Sequence, residues 1–220
     1  MKKLTKLVII GASGFARELL WTINDINKIE KIYDVIGFVD DDESLNGKII
    51  SNTPVLGSID WYLKNLKNDV SCVIGIGDPK IRKNIARILE KNTIDFISLI
   101  HPSVIKSDSI EIGKGTVIQA GVILTVDIKL GNHVHVNVNS IIGHDSKIGD
   151  FVTINPGSHI NGNVVIGEST LVGSGTITKQ NISIGKNCIL GAGTVVIHDV
   201  PDNKMLVGVP GKIKEKNSIF

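Results

Sequence analysis

Apolar positions along this chain follow two different rules, one on each side of about residue 100. Over residues 5–100 short apolar runs alternate with amphipathic stretches. KLVII runs into GASG, and FARELLWTINDINKI then places Phe15, Leu19, Leu20, Ile23 and Ile26 at helical spacing. Further strands are expected in DVIGFVD, in VSCVIGIGD and in IDFISLI before His101-Pro102, with a helix in IRKNIARILEKN. Strands alternating with helices predict a small parallel sheet of βαβ units.

From about residue 110 the period changes. Ile-Gly or Leu-Gly recurs at 112–113, 130–131, 148–149, 166–167 and 184–185, in steps of 18. Eighteen is three sixes, and the six-residue phase from 112 to 196 is Ile, Leu or Val at 14 of 15 positions, Thr178 being the exception. Four residues later in each hexad comes a second row, from Thr116 and Val122 to Thr194 and Val200, mostly small or β-branched. A period of six is not a helix period. Short strands joined by tight bends place one aliphatic per side inside a three-sided coil, one turn per 18 residues. Two domains are expected, 1–100 and 101–220, with the N-terminal domain and the tail PDNKMLVGVPGKIKEKNSIF available to cover the ends of the array.

Composition narrows the function. Hydrophobic residues make up 42% but aromatics only 4%, so the cores are aliphatic, in keeping with a mean hydropathy of +0.19. A net charge of +2 and the absence of a basic block argue against nucleic acid as a partner. No run approaches membrane-spanning length. MKKLTKLVIIGASG has an apolar run too short for a secretory signal, and it reads as a first strand. Cys72 and Cys188 fit no metal spacing, which suits a reducing compartment with both thiols buried.

Within the repeat, IIGHDSKIGD sets His144 beside Asp145, two places after the inward Ile142 and near a bend. An imidazole is suited to accept a proton at neutral pH, and a carboxylate on its other ring nitrogen would fix its tautomer. Extended neighbours point to opposite faces, so only a bend lets the two cooperate. His133 and His135, two apart on an expected strand, would share a face, but the histidine spacing does not suggest zinc; His159 and His198 read as solvated or interface residues. The turn Gly11-Ala12-Ser13-Gly14 leads into a helix N-terminus, which favours phosphate, yet it falls short of GxGxxG and does not suggest NAD. Gly173-Ser174-Gly175 and Gly191-Ala192-Gly193 are tight bends whose amides can also polarise a carbonyl.

The hexads, the coils of 18 and the closing LVGVPGK resemble the left-handed parallel β-helix acyltransferases; GASGFARE, FVDDD and GIGD resemble the sialic-acid O-acetyltransferase and nucleotide-linked amino-sugar N-acetyltransferase group. The resemblance implies a Rossmann-like α/β domain, then a left-handed β-helix. It further implies a cytoplasmic homotrimer using acetyl-CoA, without metal, to acetylate the amine of a nucleotide-linked amino sugar for surface glycans, or alternatively a sugar hydroxyl such as that of sialic acid. A non-catalytic scaffold or sugar-nucleotide sensor is the reading from another class. His144 would be the general base and Asp145 its support; Ser13, Gly14, Phe15, Asp40, Asp41 and Gly77 would hold the nucleotide-sugar. Thr153, Ser174 and Ala192 would border the acyl donor, Thr153 standing where relatives carry a histidine in FVHINPG.

Overall fold

A computed structural model describes residues 3–67 and 69–214. The chain divides into two compact units, Met1–Gly77 with Ile81–Pro102, and Asp78–Lys80 with Ser103–Phe220.

In the first unit β1 (Thr5–Ile10) leads through a turn into α1 (Gly14–Ile29), which returns to β2 (Tyr33–Val39); α2 (Ile59–Asn65) precedes β3 (Ser71–Ile74), and α3 (Pro79–Lys91) follows it. The sheet order is β2, β1, β3, all parallel. Leu7, Val8, Ile9 and Ile10 on the central strand are all at most 1% exposed, as expected of a strand covered on both faces. α1 turns Ala16, Leu19, Leu20 and Ile23 inward; Leu19, Leu20 and Ile23 belong to the predicted stripe, whose ends Phe15 and Ile26 are half-buried. IDFISLI does not form one strand. It meets β3 at a single rung, where Cys72 N–H donates to Asp95 O and Ile97 N–H to Cys72 O (both 2.9 Å), then leaves the sheet before the short strand Leu99–Ile100.

The second unit is a three-walled parallel β-solenoid of strands mostly two residues long. One wall stacks Ile105–Lys106, Ile123–Leu124, Ile141–Ile142, His159–Ile160, Ile177–Thr178 and Val195–Val196. A second stacks Glu111–Ile112, Lys129–Leu130, Lys147–Ile148, Val165–Ile166 and Ser183–Ile184. The third carries Val117–Ile118, His135–Val136, Thr153–Ile154, Leu171–Val172, Ile189–Leu190 and Met205–Val207, closed by the antiparallel Lys212–Lys214. Most partners are 18 residues apart, as Ile123, Ile141 and His159 are. The tail's last six residues lie outside the described ones.

Both inward rows are buried. In the first, every residue from Ile118 to Val196 is at most 4% exposed. In the second, hydroxyls satisfy carbonyls at the corner of the next coil: Thr116 Oγ1 donates to Gly131 O at 2.9 Å, Ser146 Oγ to Asn161 O at 3.1 Å and Thr170 Oγ1 to Gly185 O at 2.7 Å. Short hydroxyl residues recur there because a buried carbonyl without a donor is costly.

Each corner turns on one residue in the left-handed region. From Gly115 to Gly193 every sixth residue has a positive φ, between 53° and 71°. Glycine, asparagine or aspartate fills most of these places, as their short side chains permit; His133, Phe151 and Ser169 are the exceptions.

Candidate active site

His144 lies on the corner between strands Ile141–Ile142 and Lys147–Ile148. Asp145 beside it has φ 60°, one of the left-handed corner residues. That turn removes the alternation that would send the two side chains apart in an extended strand. His144 Nδ1 and Asp145 Oδ2 are 2.8 Å apart, with the side chains 56% and 58% exposed. A carboxylate only accepts, so the ring proton sits on Nδ1 and the neutral imidazole keeps its lone pair on Nε2. The backbone beneath is fixed: Asp145 N–H donates to Val126 O at 3.1 Å, and His144 O accepts from Asn163 N–H at 2.6 Å. The ring leans over Gly162, the residue one coil further on. A Cβ there would meet Nε2 first, and would stand 2.5 Å from Cε1 and 2.9 Å from Cδ2.

The wall that ends at this corner is mostly apolar and open. Its outward row is Ile105, Ile123, Ile141, His159, Ile177 and Val195, with Ile105 65% and Ile177 43% exposed. The wall beyond His144 is instead mostly polar at the same phase, with Glu111, Lys129, Lys147 and Ser183, Val165 being the exception. Ser174 and Ala192 are exposed and stack one coil apart on the opposite edge of the apolar wall. That wall thus carries an imidazole along one border and small residues along the other.

Thr153 departs from the expectation. It sits within the third wall, in register with His135, and is 1% exposed, so its hydroxyl is not offered at the surface. The two histidines read as sharing a strand do not: His133 is a corner residue with φ 54° whose ring stacks on Phe151 at 5.0 Å, and His135 is on the strand after it. Among the described residues no group of three His, Cys, Asp or Glu side chains could hold a metal ion. His159 and His198 are exposed. Cys72 and Cys188 are buried, and burial pushes the Cys72 thiol well above its ordinary range, which denies it a nucleophile's role.

In the first unit, a crevice of about 210 Å³ opens at the carboxyl ends of β1 and β2, lined by Ile10, Gly11, Val39, Asp40, Asp41 and Ile76 among others. Ligands of open α/β sheets bind at such strand ends. Gly11, at φ 97°, makes the sharp exit from β1 that a side chain would strain. Asp40 ties the two loops together, its carboxylate accepting from Ala12 N–H at 2.8 Å and Asp42 N–H at 2.9 Å. Asp41 accepts from Ile59 N–H at 2.8 Å, at the start of α2. Ser13 and Gly14 are exposed at the start of α1, with Phe15 half-buried behind them, and Ser13 makes no side-chain cap bond. Gly77 follows β3, and its carbonyl accepts from Arg82 Nη1 at 3.0 Å. Arg82, fully buried, also holds Ile76 O at 2.7 Å; the sequence reading missed it because an arginine on an amphipathic helix ordinarily faces water. A wider trough of about 650 Å³ along the outer side of α1, between Arg17, Trp21, Asn24 and Lys28, contains none of the candidate site residues.

No helix of the described residues is long and apolar enough to cross a membrane.

Residues 6–89 match the family model described as the PglD N-terminal domain. UDP-N-acetylbacillosamine N-acetyltransferase of Bacillus subtilis (strain 168) is 42% identical over 73 residues, 29% of this chain and 34% of that protein, so the match spans about a third of the curated relative. Among solved structures, a histidine-to-asparagine variant of perosamine N-acetyltransferase from Caulobacter crescentus, in complex with CoA and GDP-perosamine, superposes with a TM-score of 0.89 at 27% identity, covering 97% of this chain and 99% of that one. WeeI from Acinetobacter baumannii AYE is 30% identical with a TM-score of 0.86, over 96% of this chain and 100% of that one. With the hexad solenoid, its exposed histidine and these likenesses together, the chain belongs to the hexapeptide-repeat, left-handed parallel β-helix sugar acetyltransferases, the family that includes the nucleotide-linked amino-sugar N-acetyltransferases.

Proposed function

We propose that this chain transfers an acetyl group from acetyl-CoA to the amine of a nucleotide-linked amino sugar destined for surface glycan, in the cytoplasm where both substrates are made. The observation that carries the reading is the 2.8 Å pair of His144 and Asp145 on an exposed corner, its Nε2 lone pair unengaged by the carboxylate. Two of the relatives named above support the choice of an amine, since they are amino-sugar N-acetyltransferases by name and one was solved with CoA and a nucleotide-linked amino sugar.

The amine nitrogen attacks the thioester carbonyl carbon, its proton passes to Nε2, the carbon–sulfur bond breaks, and the proton moves on to the departing thiolate. Asp145 favours the imidazolium that forms between the two transfers. Transfer is direct, because both thiols are buried and, among the described residues, no hydroxyl stands in hydrogen-bond contact with His144. Ser174 and Ala192 border the pantetheine arm, where small residues allow close approach; Thr153, being buried, is left out of that surface. The crevice around Asp40 and Asp41, with Ser13, Gly14, Phe15 and Gly77 nearby in the turns, holds the nucleotide. The exposed apolar wall beside His144 is a self-association face, and a homotrimer closes it.

The test is thiol release from acetyl-CoA with a panel of nucleotide-linked amino sugars and free sialic acid. Release with an amino sugar is expected, and release with sialic acid alone would move the activity to a hydroxyl. His144→Ala lowers kcat by roughly 10²–10⁴-fold while acetyl-CoA still binds; turnover equal to the native protein removes His144 from the mechanism.

A further inference from the structure

The inward row is aliphatic from 112 to 196 except at Thr178, and Thr178 is 0% exposed. Its hydroxyl has a local use. Along the apolar wall, the residue after each strand donates its backbone N–H to the inward residue's carbonyl one coil on: Thr125 to Ile142 at 3.1 Å, Gly143 to Ile160 at 2.7 Å, Lys179 to Val196 at 2.7 Å. At Asn161 the rung is rebuilt. Asn161 N–H donates to Thr178 Oγ1 at 3.0 Å, and the Thr178 carbonyl accepts from Asn161 Nδ2 at 2.6 Å. Ser146 Oγ, from the coil before, donates to Asn161 O at 3.1 Å. Two hydrogen bonds thus make this rung and a third, from Ser146, pins its corner; the rungs at Gly143 and Lys179 are single, and the one at Thr125 adds only a long bond of 3.5 Å from Thr125 Oγ1 to Ile142 O.

The residue that follows is Gly162, the floor under the His144 ring. Its φ lies outside the left-handed region, so glycine is present for space rather than for backbone freedom. A similar contact exists between Gly115 and the His133 ring, but that ring is buried and stacked on Phe151, and the rung at Gly113 is the ordinary one, to Leu130 O at 2.9 Å. Room for a ring and a rebuilt rung coincide at the exposed histidine.

We infer that Asn161, Gly162 and Thr178 are positioning residues that together set the height and tilt of the His144 imidazole, holding Nε2 where a substrate proton can reach it while Nδ1 keeps its bond to Asp145. This rests on His144 being the general base. With a methyl group at 162 the ring must lift, and it can keep the Asp145 bond or the placement of Nε2 but not both. Reacting atoms displaced by about an ångström cost on the order of 10²-fold in rate.

Gly162→Ala is expected to lower kcat roughly 10–100-fold with KM for acetyl-CoA changed less than about twofold. Thr178→Val restores both the aliphatic row and the ordinary rung; it is expected to leave the thermal midpoint equal or higher while lowering kcat about 3–10-fold, whereas Thr178→Ser, which keeps the hydroxyl, retains turnover. Residues acting through His144 show no further loss when combined with His144→Ala, measured as slow residual thiol release. Native kcat in both Gly162→Ala and Thr178→Val overturns the inference, as does a loss of equal size in the His144→Ala background. If His144→Ala itself turns over normally, the base assignment fails instead; if His144→Ala is inactive while Gly162→Ala is native-like, the platform alone fails. Should Gly162→Ala not fold, the Thr178 pair decides the matter by the same measurements.

Discussion

Replacing Asp145 by asparagine separates the carboxylate's charge from its place in the backbone. Asn163 and Asn181 occupy the same corner one and two coils on, at φ 53° and 59°, so asparagine suits the left-handed turn at 145 and stability is expected to hold within about 0.5 kcal/mol. An amide oxygen still accepts from Nδ1, but the bond loses its charge assistance, worth about 1 kcal/mol. The imidazolium that forms during proton transfer also loses its counter-charge. With both side chains more than half exposed, the effective dielectric is closer to water than to a protein interior, and a pair of charges some 4–5 Å apart is then worth about 1–2 kcal/mol. The sum, about 2–3 kcal/mol, predicts a kcat lower by roughly 30–150-fold. Steady-state thiol release at saturating substrates, beside a thermal melt, measures it. A native kcat in a variant that melts like the native protein would mean that the aspartate serves only the corner, and the polarised-base argument would be wrong.

Ile177→Lys places a charge in the exposed apolar wall and, on the homotrimer proposed above, is expected to shift the protein toward single chains in sedimentation velocity, lowering activity most at low protein concentration. Asp25 is held below its ordinary 3.8 by its hydrogen bond from Lys28 at 2.6 Å, and secondly by His101 Nε2 at 3.1 Å. A carboxylate whose folded pKa is depressed stabilises the fold above its unfolded value and loses that contribution as pH falls through the folded one. Asp25→Asn should therefore melt below the native protein at pH 7, and the gap should close as pH drops below 3.8; a gap that is constant with pH would contradict the ion-pair account.

The sequence revealed the solenoid because burial repeats: a buried aliphatic every six residues is written directly into the chain. The corners were equally legible but were not read, since Gly, Asn and Asp recur three places after each inward residue, the chemistry a left-handed turn asks for. The bend that lets His144 and Asp145 cooperate is one of these corners. In the α/β unit, α1 and the parallel strands followed from spacing, while buried Arg82 did not, because nothing local tells an inward arginine from a solvated one. Thr153 was placed by resemblance to a motif, and a motif carries no information about how deeply a wall position is buried.

The regularity of the fold also explains where its chemistry can lie. Stacked coils leave almost no freedom in the walls: each inward side chain sits above another, and each backbone rung repeats the last. Such a stack is stabilised by sameness, because any residue breaking the pattern forfeits apolar burial or a ladder hydrogen bond. A threonine in the aliphatic row, an asparagine side chain taking over a backbone donor's place and a glycine two places after an inward residue are three such exceptions, and they fall within two coils of the exposed imidazole. Independent drift would scatter them along the coils rather than gather them beneath one ring. Their grouping is most simply understood as one local departure from the repeat, kept because His144 needs a floor at a set height, and the Thr178→Val comparison tests that directly: a more regular solenoid should be at least as stable and a slower enzyme.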